Sequence, residues 1–156
     1  MNTKPNLEQL LEAEDTNSSI IKLDDYICKL CSWGEKMDAL SQPQKLFFFN
    51  QNLEREINNG GFNQFYYNSS GDFAHQTVES LNAIGADKTA EILKKANGQF
   101  PNQTVPKDRA ERQEIVEQIE EEANVVWEEL DQQFFDYEDD LNSLNLEFVR
   151  KNKSFF

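Results

Sequence analysis

Apolar residues recur at helical spacing along almost the whole chain. Leu46, Phe49, Leu53 and Ile57 follow one another at intervals of three and four residues, which places them on one face of an α-helix. No stretch shows the period-two alternation of apolar and polar residues that is typical of a half-buried strand. The pattern predicts an all-α protein, folded as a single-domain multi-helix bundle.

Capping residues, glycines and prolines set the expected helix boundaries. Ser41–Gln44 and Asp108–Glu111 read as capping boxes, and Gly85 is a stop signal. The helical regions predicted are Ser19–Leu40 with a break near Gly34, a helix from Ser41 to Asn59-Gly60, Asp72–Ile84, Ala86 to Phe100, a long helix from Asp108, and a last helix with Leu141, Leu144 and Phe148. We expect residues 1–18 to be an N-terminal arm or docking helix and residues 19–156 to be one all-helical domain.

The stretch from Asn58 to Asp72 is the expected centre of the bundle. It holds four aromatic residues between two glycine breaks. One of the glycines, Gly60 or Gly61, should have a positive φ, because glycine tolerates the left-handed conformation that ends a helix. A short helix, Gly61–Asn68, should follow, with three aromatic side chains on one face: Phe62, Phe65 and Tyr66.

The net charge of the chain argues against some classes of function. The chain has 156 residues and a net charge of −14, which argues against direct nucleic-acid binding and against an anionic membrane surface. No apolar run approaches the ~20 residues of a membrane span. Met1–Glu14 is polar and acidic, unlike a secretory signal, so a cytoplasmic location is expected.

The two cysteines, Cys28 and Cys31, are spaced as in a redox motif. Such a motif normally lies at the N-terminus of a helix, whereas this pair falls inside a helical pattern. A zinc site would need two further ligands, and His75 is the only histidine. We expect two reduced, structural thiols.

A family resemblance appears at the glycine-aromatic stretch. Asn59-Gly60-Gly61-Phe62-x-Gln64-Phe65-x-x-Asn68-Ser69-x-Gly71 resembles the signature of the DNA-mimic-protein-nineteen-like family. The resemblance continues through Val78-Glu79-x-Leu81-x-x-Ile84-Gly85-Ala86, Ala90-x-Ile92-Leu93, Phe100-Pro101 and Asp108-Arg109-x-x-Arg112. It implies a bacterial, all-helical and often dimeric protein. It also implies, by analogy with the family's named member, an acidic surface that occupies a DNA-binding protein in place of DNA.

The resemblance assigns no residue to such a surface, so the candidates come from charge alone. Gln113–Val149 contains thirteen Asp or Glu and no Lys or Arg, whereas the rest of the chain is nearly neutral. The predicted partner-binding residues are Glu114, Glu117, Glu121, Glu128, Asp139 and Asp140. A solvated face that serves only solubility is the competing interpretation.

The remaining motifs for a metal site, a nucleophile or a ligand pocket are incomplete in this sequence. Asp136, Glu138, Asp140 and Glu147 fit a calcium-loop template, but Leu141 stands where the template needs glycine. His75 with Ser69 or Ser70 lacks a nucleophile motif. The amides Asn59, Gln64 and Asn68 are interpreted as partners of helix ends and turns, with a ligand pocket as the alternative. We therefore predict no catalytic, metal-binding or cofactor-binding residue.

The sequence predicts a non-enzymatic acidic protein, and the resemblance implies that it mimics DNA towards a basic DNA-binding protein and forms a homodimer. One alternative is a small-ligand or metal-dependent enzyme with a concave site near Phe62–Asn68. Another is a structural or immunity-type partner, which would show an apolar interface patch.

Overall fold

The computed structural model describes residues 3–156 and contains seven α-helices and five short 3-10 helices in that range. The α-helices are α1 (Leu7–Glu12), α2 (Thr16–Leu30), α3 (Gln42–Tyr67), α4 (Ala74–Ala83), α5 (Asp87–Asn97), α6 (Arg109–Phe135) and α7 (Leu141–Lys151). No strand occurs within residues 3–156, and none of the helices there is long and apolar enough to cross a membrane. The predicted all-α, multi-helix fold is confirmed.

Helix α3 runs through both hydrophobic clusters of the core. Its first half contributes Phe47 and Phe48 to a cluster shared with α1, α2 and α7. Its second half contributes Phe62 and Phe65 to a larger cluster shared with α4, α5 and α6. The aromatic segment predicted as the centre of the bundle is therefore at the centre of the larger cluster.

The capping residues predicted from sequence are in place. Ser41 and Gln44 form a reciprocal capping box at the start of α3. At the start of α6 only half of the predicted box is present, because the Asp108 side chain accepts from the Glu111 amide without a bond in return from Glu111. Gly85 follows α4 with a φ of 82°. These local signals fixed the helix ends because each satisfies a backbone group that the helix leaves unpaired.

The first helical region differs from the prediction at both ends. Helix α2 begins at Thr16, because the Asp15 side chain caps it, and it ends at Leu30. Ser32, Trp33 and Gly34 all have positive φ, at 50°, 58° and 100°, so the helix cannot continue to Leu40. The predicted break near Gly34 lies at the right place, but it ends the α-helix rather than interrupting it.

The predicted end of a helix at Asn59-Gly60 is instead a kink within α3. Gly61 has φ 74° and ψ −171°, a region that only glycine occupies without strain. The Phe62 amide at the kink donates to Asp131 Oδ1 at 2.9 Å, so a side chain of α6 supplies an acceptor for it. A Cβ on Gly61 would come within 2.2 Å of Asp131 Oδ2. The expectation of positive φ is confirmed at Gly61.

Helix α6 buries a face slightly different from the predicted one. Ala123 and Leu130 are buried as expected, while Ile115, Ile119 and Val126 are only partly buried at the edge of the cluster. The centre of the buried face is formed by other residues: Arg112, Val116, Trp127 and Phe134.

The N-terminal segment contacts the cluster around α2 and α7. Leu10 and Leu11 are buried, and their carbonyl oxygens accept from Ser19 Oγ at 2.7 Å and from Arg150 Nη2 at 2.9 Å. Residues 1 and 2 of the predicted arm lie outside the described residues. The division into residues 1–18 and 19–156 stays a prediction.

The cysteine pair is enclosed by apolar side chains at the end of α2. Both side chains are fully buried, and burial raises the pKa of the Cys28 thiol to about 12. Burial also raises the pKa of Cys31. A redox cysteine needs a lowered pKa, so this environment favours the structural interpretation.

Replacing Phe65 by alanine should cost about 3–5 kcal/mol of unfolding free energy, because it opens a cavity in the larger cluster. The matched control is Phe135→Ala, since Phe135 is 40% exposed. That control should cost less than about 1 kcal/mol. Urea unfolding of both variants is the measurement, and a Phe65 variant as stable as the control would contradict the packing described.

Gly61→Ala should destabilise the protein more than Gly85→Ala. Both positions have positive φ, which costs a non-glycine residue about 1–2 kcal/mol. A side chain at Gly85 meets nothing within 4 Å, whereas one at Gly61 displaces the Asp131 carboxylate from the Phe62 amide. Equal melting temperatures for the two variants would argue against this account.

Cys28 should react slowly with iodoacetamide in the native protein at neutral pH, at a rate that follows unfolding. Its raised pKa means that the native state favours the neutral thiol, so this contribution to stability is present below the ordinary pKa of 9.0 and is lost as pH rises through about 12. Mass spectrometry after timed alkylation, with urea-unfolded protein as the control, measures the rate. Fast modification of the native protein would contradict the buried environment.

Candidate acidic interface and the signature segment

A buried arginine organises the segment that carries the signature motif. Arg112 of α6 is fully buried, and its five N–H groups have five acceptors. Nε donates to the Tyr66 carbonyl at 2.6 Å, Nη1 to the carbonyls of Pro106 and Lys107, and Nη2 to the Asn68 carbonyl at 2.8 Å and to Asp72 Oδ1 at 2.6 Å. The guanidinium thus joins the end of α3, the following turn and the loop before α6.

Gly71 is required by this arginine. A Cβ on Gly71 would lie 2.5 Å from Arg112 Nε and 3.0 Å from the Tyr66 carbonyl oxygen. Only a residue without a side chain lets the turn Ser69–Phe73 approach the guanidinium so closely. The last glycine of the motif therefore has a packing role.

The aromatic residues of the motif fill the core beside this anchor. Tyr66 is fully buried, its ring lies 5.0 Å from that of Trp127, and its hydroxyl donates to Asn97 Oδ1 at 2.6 Å. Phe62 and Phe65 are buried against the same ring. These side chains are enclosed, so none of them faces an open site.

The amides of the motif bond to neighbouring side chains. Gln64 Nε2 and Asn68 Nδ2 both donate to Glu56 Oε2, at 3.0 and 2.9 Å, across the kink in α3. Asn59 and Gly60 are exposed at the kink. Gln64 and Asn68 thus join the two halves of α3 through the Glu56 carboxylate, whereas the sequence interpretation expected them to bond to helix ends and turns.

The other weak signals have local partners. His75 Nε2 accepts from the Val105 amide at 3.0 Å, and Ser70 Oγ donates to the Phe65 carbonyl at 2.7 Å. Leu141 begins α7 instead of forming the turn of a calcium loop. Within residues 3–156 no three His, Cys, Asp or Glu side chains are grouped to hold an ion.

The predicted acidic stripe lies on the outward face of α6. Glu114, Glu117, Glu121 and Glu128 are all exposed. At about 100° per residue they cluster roughly 150° around the helix from the buried face. The structure therefore brings these four residues together on one side of one helix.

Three more exposed glutamates flank the stripe: Glu120, Glu122 and Glu129. None of the seven takes part in an ion pair or a side-chain hydrogen bond within residues 3–156. We call these seven residues the α6 glutamate surface. All seven carboxylates are open to solvent and free to meet a partner.

The other two predicted partner-binding residues are helix caps. Asp139 is half-buried and accepts from the Thr89 amide at 2.8 Å and the Thr89 hydroxyl at 2.9 Å, at the start of α5. Asp140 accepts from the Ser143 amide at the start of α7. Both carboxylates are committed to the fold and stand apart from the stripe, although contact with a partner stays a prediction for each.

The sequence interpretation missed Arg112 as the anchor of the motif. The signal was present, because Arg112 shares the helical face of Val116, Ala123 and Trp127, all of which are buried. An arginine on an apolar face indicates a buried guanidinium with several acceptors, since an unpaired buried charge is too costly.

Comparison with known proteins gives one match. A family model described as DMP19-like protein matches residues 38–152. Neither the curated proteins nor the solved structures include a match to the chain. The matched range covers α3 to α7, including the kink at Gly61, the Arg112 anchor and the α6 glutamate surface. The chain belongs to the DMP19-like family.

Proposed function

We propose that this protein is a non-enzymatic interaction protein that mimics DNA, and that its α6 glutamate surface occupies the DNA-binding surface of a basic partner. The observation that carries the proposal is that seven glutamates on one helix are exposed and unpaired within residues 3–156. Membership of the DMP19-like family supports it.

The spacing of the carboxylates is close to the spacing of the DNA phosphates that a DNA-binding partner contacts. Glu114 and Glu129, the first and last of the seven, are separated by about 22 Å of helix rise. Phosphates follow one another every ~3.4 Å along a DNA strand, so seven carboxylates over this length approach the same charge density. Lysine and arginine side chains of a partner would release counterions on binding, as they do on DNA.

The net charge of the chain can be compared with the charge on a length of duplex DNA. The net charge of −14 equals that of about 24 Å of duplex, or roughly seven base pairs, at one charge per ~1.7 Å. This is the length of a half-site. A homodimer, which the proposal includes, would offer two half-sites, and a bacterial cytoplasmic location would place the protein beside DNA-binding partners.

The two alternatives receive less support. The motif side chains that an enzyme site near Phe62–Asn68 would use are enclosed in the core or bonded to neighbours. An immunity-type interface would be an apolar patch. Two large apolar residues of α6 are exposed, Val125 at 70% and Phe135 at 40%, and about 15 Å of helix rise separates them, so they form no continuous patch.

Charge reversal by Glu117→Lys with Glu121→Lys should weaken partner binding, while leaving the melting temperature unchanged or slightly raised. Like charges four residues apart on a helix repel by a few tenths of a kcal/mol, so the reversal removes repulsion from the fold. The partner is captured from native cell extract at low salt, and its affinity is then measured over a salt series and with competing duplex DNA.

The matched control is Glu8→Lys with Glu12→Lys, a pair of exposed acids on α1 with the same spacing and the same change in net charge. The control should keep most of the affinity, and duplex DNA should compete with the unmodified protein. A partner whose binding survives both the α6 reversal and molar salt would falsify the proposal.

A further inference from the structure

Three buried side-chain polar atoms within residues 3–156 have no hydrogen-bond partner: Gln51 Nε2, Glu54 Oε2 and Asn145 Nδ2. All three belong to α3 and α7, two helices in contact with each other. Leaving a buried polar atom unpaired costs about 1–3 kcal/mol, and most such atoms in native proteins have a partner. A bound molecule, either a water or a ligand, would supply the missing hydrogen bond at each of these atoms.

Two of these residues line a surface groove of about 310 Å³ between α2, α3 and α7. The remaining wall residues are Asn17, Ile20, Ile21, Asp24, Arg55, Asn58 and Asn142. A single water occupies about 30 Å³ in the liquid, so the groove has room for a ligand of several non-hydrogen atoms.

The charges in the groove favour a cation. Asp24 Oδ2 and Arg55 Nη2 form an ion pair at 2.5 Å and neutralise each other. The Glu54 carboxylate has no ion-pair partner within residues 3–156, and its Oε1 accepts only from the Tyr137 hydroxyl, at 3.2 Å. Burial raises the pKa of Glu54, which is the effect of a carboxylate that lacks a compensating charge.

The amide nitrogen of Gln51, close to the Glu54 carboxylate, is a hydrogen-bond donor without a partner within residues 3–156. A ligand that binds both residues therefore needs a hydrogen-bond acceptor as well as a positive charge. Gln51 is only 7% exposed and lies three residues before Glu54, so the Cβ atoms of the two residues are about 5–6 Å apart. Terminal torsions of Gln and Glu are broad, and the proposal requires a rotation about them that exposes both atoms to the groove.

We propose that this groove binds a small primary amine that carries an oxygen acceptor a few bonds from its ammonium group, as an amino alcohol does. The ammonium donates to Glu54 Oε2, and the ligand oxygen accepts from Gln51 Nε2. Ile20 and Ile21 form the apolar part of the wall, against the ligand's methylene groups. An anionic ligand is disfavoured, because the one charge in the groove without an ion-pair partner within residues 3–156 is the Glu54 carboxylate.

The test compares three ligands with the same three-carbon chain by following side-chain amide signals in nitrogen-15 NMR spectra at neutral pH. Aminopropanol should bind best and shift the Gln51 amide, propylamine should bind more weakly because it lacks the oxygen, and propanediol should not bind. If none of them perturbs the Gln51 amide at tens of millimolar ligand, the proposal is wrong.

Two variants with the same change in net charge distinguish binding in the groove from non-specific attraction of a cation to an acidic protein. Glu54→Gln should weaken aminopropanol binding at least tenfold, since a hydrogen bond to a charged group is worth about 1.5–3 kcal/mol. Glu117→Gln makes the same change in net charge on the α6 glutamate surface and should leave the affinity within about twofold. Equal loss in both variants would overturn the assignment.

A second variant keeps the test decisive if Glu54→Gln unfolds. Gln51→Met keeps the length of the side chain and removes the donor. It should abolish the preference for aminopropanol over propylamine while propylamine still binds. A preference that survives in this variant would overturn the role of Gln51, and none of these outcomes depends on the proposed mimicry of DNA.

Discussion

The buried guanidinium of Arg112 is the contact on which the arrangement of the larger cluster depends. A charge taken out of water is tolerated only when its hydrogen bonds are satisfied, and here five acceptors surround it. Four are backbone carbonyls and one is Asp72, so the anchor fixes chain segments more than side chains. The end of α3 cannot move away from α6 without leaving the charge unpaired, and this constraint keeps Tyr66 in the core.

Two glycines of the signature motif are required because charged side chains of α6 occupy the space next to them. Gly71 makes room for Arg112, and Gly61 makes room for Asp131, whose carboxylate caps the second half of α3. A motif rich in glycine and amides resembles a ligand-binding loop in sequence. In this fold the same residues serve to bring backbone close to an arginine and an aspartate.

Local signals in the sequence were enough for the fold class and most helix ends. The capping box at Ser41 and the stop at Gly85 depend only on neighbouring residues, and both were predicted correctly. The kink at Gly61 was expected as the end of a helix, because its continuation depends on Asp131, seventy residues away in the chain. The Arg112 anchor and the groove beside Glu54 are likewise made by distant segments, which spacing along the chain does not bring together.

The acidic residues in the last third of the chain fall into two groups, according to whether their carboxylates accept hydrogen bonds within the fold. Asp131, Asp139 and Asp140 accept from backbone amides and hold helix ends or the kink, so removing them would disturb the fold. The α6 glutamate surface makes no ion pair or side-chain hydrogen bond within residues 3–156, and its members repel one another by a few tenths of a kcal/mol per neighbouring pair. Because the core face of α6 supplies the stability, that repulsion can be retained or removed with little effect on folding. Stability and surface charge are thus carried by opposite faces of one helix, and this separation makes partner binding testable without unfolding the protein.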